Sequence, residues 1–213
     1  KAGARYHVCH VSTKETVDVL RWAKTRNVEI TAEVTPHHLL LTEDLVSEYN
    51  PVFKVNPPLR TMEDVLAVRA ALADGTIDIV ATDHAPHPSE SKECEWSQAA
   101  NGMIGLETAA GVVYETMVKP GLIDLIRYEQ IMSLKPAVIS GIDGQGIQIA
   151  VGAPANITII DPAASWTVSK ETESLSSNNP YVGHSLTSKV AHVFFKGQQT
   201  VANGAVVQIG GEK

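Results

Sequence analysis

Residues 77–87 have the sequence IDIVATDHAPH, in which an apolar, β-prone run is followed at once by polar side chains. The run predicts a buried strand over 77–83, since short apolar segments bounded by turn-forming residues favour strands. Asp83, His84 and His87 then follow at the carboxyl end of the strand, where α/β proteins collect functional side chains. A carboxylate there can hold a metal ion and accept a proton from water, or it can cap the following turn. One Asp with two His in so short a segment favours a functional site.

The chain before this segment alternates between predicted strands and helices. Residues 6–11 predict a strand, and Ser12 with Glu15 matches a capping box that would start a helix over 13–25. The alternating run 29–34 predicts a second strand. Strand, helix and strand in succession are typical of a parallel sheet or barrel.

Further helices are predicted from apolar spacing and end signals. Thr61 matches the start of a helix that ends at Asp74-Gly75, and two more helices are expected near 106–117 and over 128–139. The core positions that these helical stripes predict are Val17, Leu20, Ala23, Val65, Val68, Leu72, Leu106, Ala109, Ala110, Val113 and Met117.

The character of the sequence changes near Gly141. From there, short β-prone segments are separated by turns, with hairpin signals at Gly197 and Asn203-Gly204. The predicted strands are 156–160, 166–168, 189–196, 199–201 and 205–209. We therefore divide the chain into an α/β part, residues 1–144, and a small β part, residues 145–213.

The composition limits the classes of protein to which the chain can belong. It has 213 residues, of which 44% are hydrophobic and 19% charged, as in ordinary soluble globular proteins. A net charge of −7 argues against a nucleic-acid partner, and the absence of a long apolar run argues against a membrane span. The cysteine count of 2 suits a reducing compartment, so we expect a cytoplasmic location.

Three other segments carry candidate side chains. His10 ends the first predicted strand, where a neutral imidazole can ligate a transition metal, although a lone strand-end histidine is more often structural. His7 should lie on the opposite face of that strand and is interpreted as structural. His37 and His38 are interpreted as part of a hydrogen-bonded loop and not as metal ligands. Adjacent side chains on an extended chain diverge and rarely bind one ion together. Asn56 could bind a substrate amide or carboxylate, or it could shape the proline turn that follows it.

A series of motifs occurs in a fixed order along the chain. They are HVST at 10–13, EVTPHHL at 33–39, NPPLR at 56–60, ATDHAPH at 81–87, GMIGLET at 102–108 and GAPANIT at 152–158. Taken together, they resemble the type I dihydroorotases, a bacterial branch of the amidohydrolase superfamily, over essentially the whole chain. The resemblance implies zinc-dependent, reversible hydrolysis of L-dihydroorotate to N-carbamoyl-L-aspartate in de novo pyrimidine biosynthesis.

The fold that the resemblance implies is a (β/α)8 TIM-type barrel with a small composite β-sandwich. Residues 1–144 would form about the last three βα units of the barrel. Residues 145–213 would form the C-terminal part of the sandwich.

The resemblance also implies roles for individual residues. His10 and Asp83 correspond to ligands of one or two zinc ions, and Asp83 also corresponds to the catalytic general acid and base. The implied substrate contacts are Asn56, His87, Asn101 and Gly102. Asn101 departs from the family pattern, which has Phe at this position. A contact made through backbone groups would tolerate this change.

Part of the family's metal site has no counterpart in this sequence. No His-x-His-x-Arg motif occurs in the 213 residues, so the other zinc ligands are expected in an N-terminal part of the same enzyme. The start at Lys1-Ala2, without Met and just ahead of a strand, is interpreted as a truncation or cleavage point. We therefore expect the chain alone to be inactive.

Two alternatives to dihydroorotase are kept. One is a cyclic amidohydrolase of the hydantoinase or allantoinase type, and the other is a non-catalytic, dihydroorotase-like scaffold subunit. For the enzyme, the expected partners are a small-molecule substrate, further copies in a homo-oligomer, and an aspartate transcarbamoylase. Neither nucleic acid nor a membrane is an expected partner.

Overall fold

A three-stranded parallel sheet lies at the centre of the α/β part. The computed structural model describes residues 3–208. The strands are β1 (Tyr6–Val8), β2 (Ile30–Val34) and β3 (Ile79–Val80), in the order β1-β2-β3. Both pairings are parallel, with Val8 opposite Ala32 and Val34 opposite Val80. The predicted parallel arrangement is confirmed, although β1 and β3 are shorter than predicted.

Helices connect these strands and continue after β3. They are α1 (Lys14–Lys24), α2 (Pro36–Leu40), α3 (Met62–Asp74), α4 (Ser89–Lys92), α5 (Ala109–Val113), α6 (Leu125–Glu129) and α7 (Lys135–Ser140). Short 3₁₀ turns occupy Glu43–Val46 and Pro51–Phe53. Wider π turns at Tyr114–Val118 and Gln130–Leu134 extend α5 and join α6 to α7. None of the helices formed by residues 3–208 has the length and apolar character that a membrane-spanning helix requires.

Helices α1 and α3 bury their apolar stripes in the core of the α/β part. Val17 and Leu20 of α1 and Val68 and Leu72 of α3 are almost fully excluded from solvent. They form one buried cluster with Ala32 of β2. Burial of such side chains is the main favourable contribution to folding. The apolar stripes predicted for these two helices are confirmed.

The start of α1 differs by one residue from the predicted capping box. The N-cap is Thr13, whose Oγ1 accepts a hydrogen bond from the N–H of Thr16 at 3.3 Å. Ser12 instead accepts a hydrogen bond from Nε of Arg60, at 3.3 Å. The pairing of Ser12 with Glu15 is therefore wrong, because a tertiary contact takes the Ser12 hydroxyl.

The predictions for α3 and α5 had different outcomes. Oγ1 of Thr61 accepts a hydrogen bond from the N–H of Asp64, and α3 ends before Gly75, which has a left-handed φ of 88°. Both predicted ends are confirmed. Leu106 is wrong as a core position, since α5 begins only at Ala109 and Leu106 is 62% exposed.

The β part forms a four-stranded antiparallel sheet. Its strands are β4 (Ile157–Thr167), β5 (Ser185–Phe195), β6 (Gln198–Ala202) and β7 (Ala205–Val206), in the order β4-β5-β6-β7. The hairpins predicted at Gly197 and Asn203-Gly204 are confirmed, and all of these residues have a positive φ. The predicted strands 156–160 and 166–168 are in fact one strand, β4.

Several sequence predictions fall partly outside the described residues. The last residue of the predicted strand 205–209, Ile209, lies outside them. So do Lys1 and Ala2 at the start of the chain.

A second buried cluster joins the β part to the α/β part. Tyr181 and Leu186 pack with Met103 and with Val112 of α5. A Cβ atom added at Gly111 would lie 3.2 Å from Leu186 Cδ1, so glycine permits the close approach of α5 and β5. This contact places the segment before β5 next to the loops that follow β3.

We expect Leu72→Ala to lower the free energy of unfolding by about 2–5 kcal/mol, because it leaves a cavity in the core. Leu72 is 0% exposed on α3, whereas Leu66 on the same helix is 55% exposed. Leu66→Ala is the matched control and should cost about 1 kcal/mol or less. Urea denaturation measures both effects. Equal losses in the two variants would contradict the burial of Leu72.

Candidate metal and substrate site

The two predicted metal ligands follow different strands of the parallel sheet. His10 follows β1 and Asp83 follows β3, and these strands end at the same edge. Nε2 of His10 lies 3.6 Å from Oδ1 of Asp83, too far for a hydrogen bond. Both residues have a left-handed backbone, with φ of 54° and 48°, which non-glycine residues adopt rarely. The structure thus brings the two predicted ligands together.

The chemistry of these two groups fits a zinc ion. Imidazole nitrogen and carboxylate oxygen are usual zinc ligands, and two atoms bound to one tetrahedral ion lie about 3.4 Å apart. The observed separation of 3.6 Å is close to this value. Nδ1 of His10 is buried and makes no hydrogen bond within residues 3–208. A four-coordinate site needs more ligands than His10 and Asp83 supply.

Glu33 is a buried carboxylate that lies between two histidines. Glu33 is 7% exposed. Its Oε1 lies 2.8 Å from Nδ1 of His10, and its Oε2 lies 3.0 Å from Nε2 of His7. The contact between Glu33 and His10 is at ion-pair distance but is not aligned as a hydrogen bond. Nδ1 of His7 also lies 2.7 Å from Oγ1 of Thr31, within hydrogen-bond distance. A carboxylate at the second nitrogen of a metal-ligating histidine orients the ring. Glu33 can do this for His10.

The predicted orientation of His7 is wrong. His7 and His10 both contact Glu33 instead of lying on opposite faces. Strand β1 ends at Val8, and the left-handed backbone at His10 breaks the alternation of side chains.

Within residues 3–208, His7, Cys9 and Glu33 form a group that could hold a metal ion, with ligand atoms within 4.8 Å of one another.

His37 and His38 lie in the short helix α2, not in a loop. Thr35 caps this helix, and Pro36 is in its first turn. Nδ1 of His38 lies 2.7 Å from Thr35 Oγ1, and Nε2 donates to the carbonyl of Pro57 at 3.1 Å. The hydrogen-bonded interpretation is confirmed for His38. Nε2 of His37 is buried without a partner among residues 3–208.

Burial also changes the acid–base behaviour of these two rings. Desolvation lowers the pKa of His38 to about 4, against hydrogen bonds to main-chain carbonyls that raise it. Desolvation holds the pKa of His37 well below its usual value, and the neighbouring His38 and His10 add to this effect. Both rings are therefore neutral near pH 7.

Three of the predicted substrate contacts lie together. Nε2 of His87 donates a hydrogen bond to the carbonyl of Asn101 at 2.9 Å. Gly102 is buried with a φ of 132°, and a Cβ there would lie 2.7 Å from Ala85 Cβ and 2.9 Å from His87 Nε2. Only glycine allows this approach. The side chain of Asn101 is exposed, and its carbonyl makes the contact.

Asn56 belongs to a loop that packs against the same group. The N–H of Gly102 donates to the carbonyl of Lys54 at 2.9 Å. The side chain of Asn56 is exposed and makes no hydrogen bond within residues 3–208. The N–H of Ala85, shortly after Asp83, donates to the carbonyl of Met103 at 3.0 Å. This bond links the segment of the predicted metal ligand Asp83 to the segment of the predicted substrate contacts.

His84 has a structural contact, since its Nδ1 accepts hydrogen bonds from the N–H groups of Gly105 and Leu106. Two side chains from the β part also contact these segments and were not predicted from the sequence. Ser176 Oγ donates to the carbonyl of His87 at 2.7 Å, and Asn178 Nδ2 donates to the carbonyl of Gly102 at 3.1 Å. No local pattern marked them, because their partners lie far away in the sequence.

Comparison with known proteins gives one family and several relatives. The amidohydrolase family pattern matches residues 2–200. The dihydroorotase of Streptomyces coelicolor is 55% identical over 203 residues, which are 95% of this chain and 47% of that protein. The dihydroorotase of Mycobacterium tuberculosis is 48% identical over 206 residues, which are 96% of this chain and 48% of that protein. The chain spans about half the length of the curated relatives it matches.

Solved structures with a similar fold include two hydantoinases. The L-hydantoinase from Arthrobacter aurescens superposes with a TM-score of 0.90 at 30% identity, covering 97% of this chain and 47% of that chain. The D-hydantoinase from Thermus sp. gives a TM-score of 0.87 at 28% identity, covering 96% of this chain and 46% of that chain.

We expect the His38 ring of the folded protein to take up a proton only as the pH falls to about 4. In the unfolded chain the His38 ring has a pKa near 6.5. The unfolded state therefore binds more protons than the folded state between pH 4 and pH 6.5. Stability is therefore lost as the pH falls from 6.5 to 4, by roughly 3 kcal/mol. NMR titration of the histidine rings, with His38→Asn to assign the signal, measures this pKa. A ring that titrates near 6.5 in the folded protein would contradict it.

Proposed function

This chain belongs to the amidohydrolase family, and on that premise we propose that it is part of a dihydroorotase. The proposed reaction is the reversible hydrolysis of L-dihydroorotate to N-carbamoyl-L-aspartate, in de novo pyrimidine biosynthesis. The single observation that carries it is the 55% identity to a curated dihydroorotase over 95% of this chain. The approach of His10 to Asp83 at the ends of two parallel strands supports it.

We propose that the two sheets belong to two structural units of this family. Residues 1–144 would be about the last three βα units of a (β/α)8 barrel, which the parallel order β1-β2-β3 with intervening helices supports. Residues 145–213 would be the C-terminal part of a β-sandwich, which the antiparallel sheet supports.

His10 and Asp83 are the proposed ligands for one or two zinc ions. The remaining ligands would come from outside these 213 residues, which contain no His-x-His-x-Arg motif. When bound, zinc polarises a substrate carbonyl and lowers the pKa of water.

Asp83 is also the proposed general acid and base. Its carboxylate would accept a proton from the attacking water and then deliver a proton to the departing ring nitrogen. Its side chain is 30% exposed at the strand edge, which leaves it open to substrate. Proton transfer by a positioned carboxylate contributes about 10²- to 10⁴-fold to a rate.

Asn56, His87, Asn101 and Gly102 are the proposed substrate contacts. The exposed amide of Asn56 can pair with a polar group of the substrate. His87 is half-buried, and the bond from Nε2 to the Asn101 carbonyl fixes its ring. Such contacts would hold the ring amide in position for attack.

A hydantoinase is the second candidate, and the structural similarity to hydantoinases favours it. The sequence identity to those structures, 30% and 28%, is lower than the 55% identity to a dihydroorotase, so dihydroorotase is the favoured function. A non-catalytic scaffold is disfavoured by the presence of both His10 and Asp83. Homo-oligomer formation and association with aspartate transcarbamoylase stay predictions from the family resemblance. A cytoplasmic location stays a prediction from the cysteine count.

We expect the complete protein that contains this chain to hydrolyse dihydroorotate in preference to hydantoin and allantoin. Asp83→Asn should lower kcat by about 10²- to 10⁴-fold, because the variant side chain cannot accept the proton. Asp18→Asn, on the exposed face of α1, is the control and should leave kcat unchanged. A preference for hydantoin would replace the proposed substrate. Full activity of Asp83→Asn would refute the role of Asp83.

We expect the 213-residue chain by itself, with zinc added, to give no measurable turnover of dihydroorotate. The physical reason is that His10 and Asp83 supply too few ligands for a stable four-coordinate ion. A spectrophotometric assay at high protein concentration, with the complete protein as the positive control, measures this. Turnover by the chain alone would show that its own residues complete the site.

A further inference from the structure

Lys92 is a buried lysine with no carboxylate partner within residues 3–208. It ends α4 and is 5% exposed. Its Nζ donates to the carbonyls of Ala100 and Gly102 at 2.9 Å each and of Lys54 at 3.3 Å. Burial lowers the pKa of Lys92 to about 8, and the nearby charge of Lys54 adds to this effect. An ammonium group has three donors, so main-chain carbonyls use all of them.

Lys54 binds the same loop at a different point. Its Nζ donates to the carbonyls of Trp96 and Ala99 at 2.6 Å each. Lys54 and Lys92 together form what we call the lysine pair. The two ammonium groups bind several of the main-chain carbonyls of residues 96–102, a stretch without helix or strand.

These carbonyls belong to the segments that carry the proposed substrate contacts. One of them is the carbonyl of Gly102. Another is the carbonyl of Ala100, directly before Asn101. The carbonyl of Asn101 itself accepts the hydrogen bond from His87. The carbonyl of Lys54, shortly before Asn56, accepts hydrogen bonds from Lys92 and from the N–H of Gly102. The lysine pair therefore links all of these segments.

A buried charge without a counter-ion is costly unless strong hydrogen bonds replace its hydration. Bonds from an ammonium group are stronger than neutral ones, so they can hold a loop that has little regular structure. Asn178 adds a neutral donor to the carbonyl of Gly102. Without the ammonium of Lys92, buried carbonyls would face one another without enough donors.

We propose that Lys54 and Lys92 are positioning residues for substrate binding, which fix the distances between the segments of Asn56, His87 and Gly102. This inference rests on the proposed function, because it takes those residues as the substrate contacts. Neither lysine needs to touch the substrate. Their effect is to pre-organise the groups that do.

The test uses the complete, metal-loaded enzyme with Lys92→Met and Lys54→Met, and Lys170→Met as the matched control at an exposed lysine. Methionine keeps an unbranched apolar side chain, one non-hydrogen atom shorter than that of lysine, and removes its charge and donors. We expect KM for dihydroorotate to rise about 10- to 100-fold in Lys92→Met and about 3- to 10-fold in Lys54→Met, from the loss of charge-assisted bonds. The value of kcat should stay within about 3-fold, because the reacting groups are unchanged.

Three further readouts separate positioning from other roles. Metal content should equal that of the wild type. Thermal unfolding shows whether Lys92→Met folds, and if it does not, the half-buried Lys54→Met decides alone. Amide exchange over residues 96–102 should be faster in Lys54→Met than in Lys170→Met. This last measurement needs no substrate.

An unchanged KM in Lys54→Met, or in folded Lys92→Met, would overturn the inference. So would a fall in kcat together with loss of metal, which would assign the pair to the metal centre. Unchanged amide exchange in Lys54→Met would overturn it as well. If the wild type does not hydrolyse dihydroorotate, the proposed function fails by itself, and the exchange result still decides whether the pair holds the loop.

Discussion

Parallel pairing of β2 with a neighbour on each side is the constraint on which the candidate site depends. Because parallel strands end at the same edge, the residues that follow β1 and β3 meet although they are distant in sequence. His10 and Asp83 approach to 3.6 Å for this reason. The buried cluster formed with α1 and α3 also contains residues of β2 and β3, so the packing of the core positions the strands that carry the site.

Two buried charged groups restrict the positions of the segments that form the candidate site. Glu33 places a carboxylate beside His10 and His7, and Lys92 places an ammonium among main-chain carbonyls. Each charge is stabilised by polar groups from other segments of the chain, which offset the cost of leaving water. The charges therefore restrict where those segments can lie. The negative charge acts near the proposed metal ligands, and the positive charge acts near the proposed substrate contacts.

Local patterns predicted those features that depend on neighbours in sequence. Thr61 and Gly75 bound α3 as expected, and Gly197 marks a hairpin, because caps and turns need only a few adjacent residues. The prediction failed where a distant partner decides. The local pattern predicted Ser12 as the cap, but the Ser12 hydroxyl contacts Arg60 and Thr13 is the cap.

The sequence by itself determined the alternation of strands and helices, the candidate ligands His10 and Asp83, and the resemblance to an amidohydrolase. Only the tertiary structure decided which face His7 presents and what surrounds Lys92. The physical reason is that hydrophobic periodicity and turn chemistry act over a few residues. Burial of a charge, in contrast, depends on carbonyl and carboxylate groups that the folded chain brings from far away.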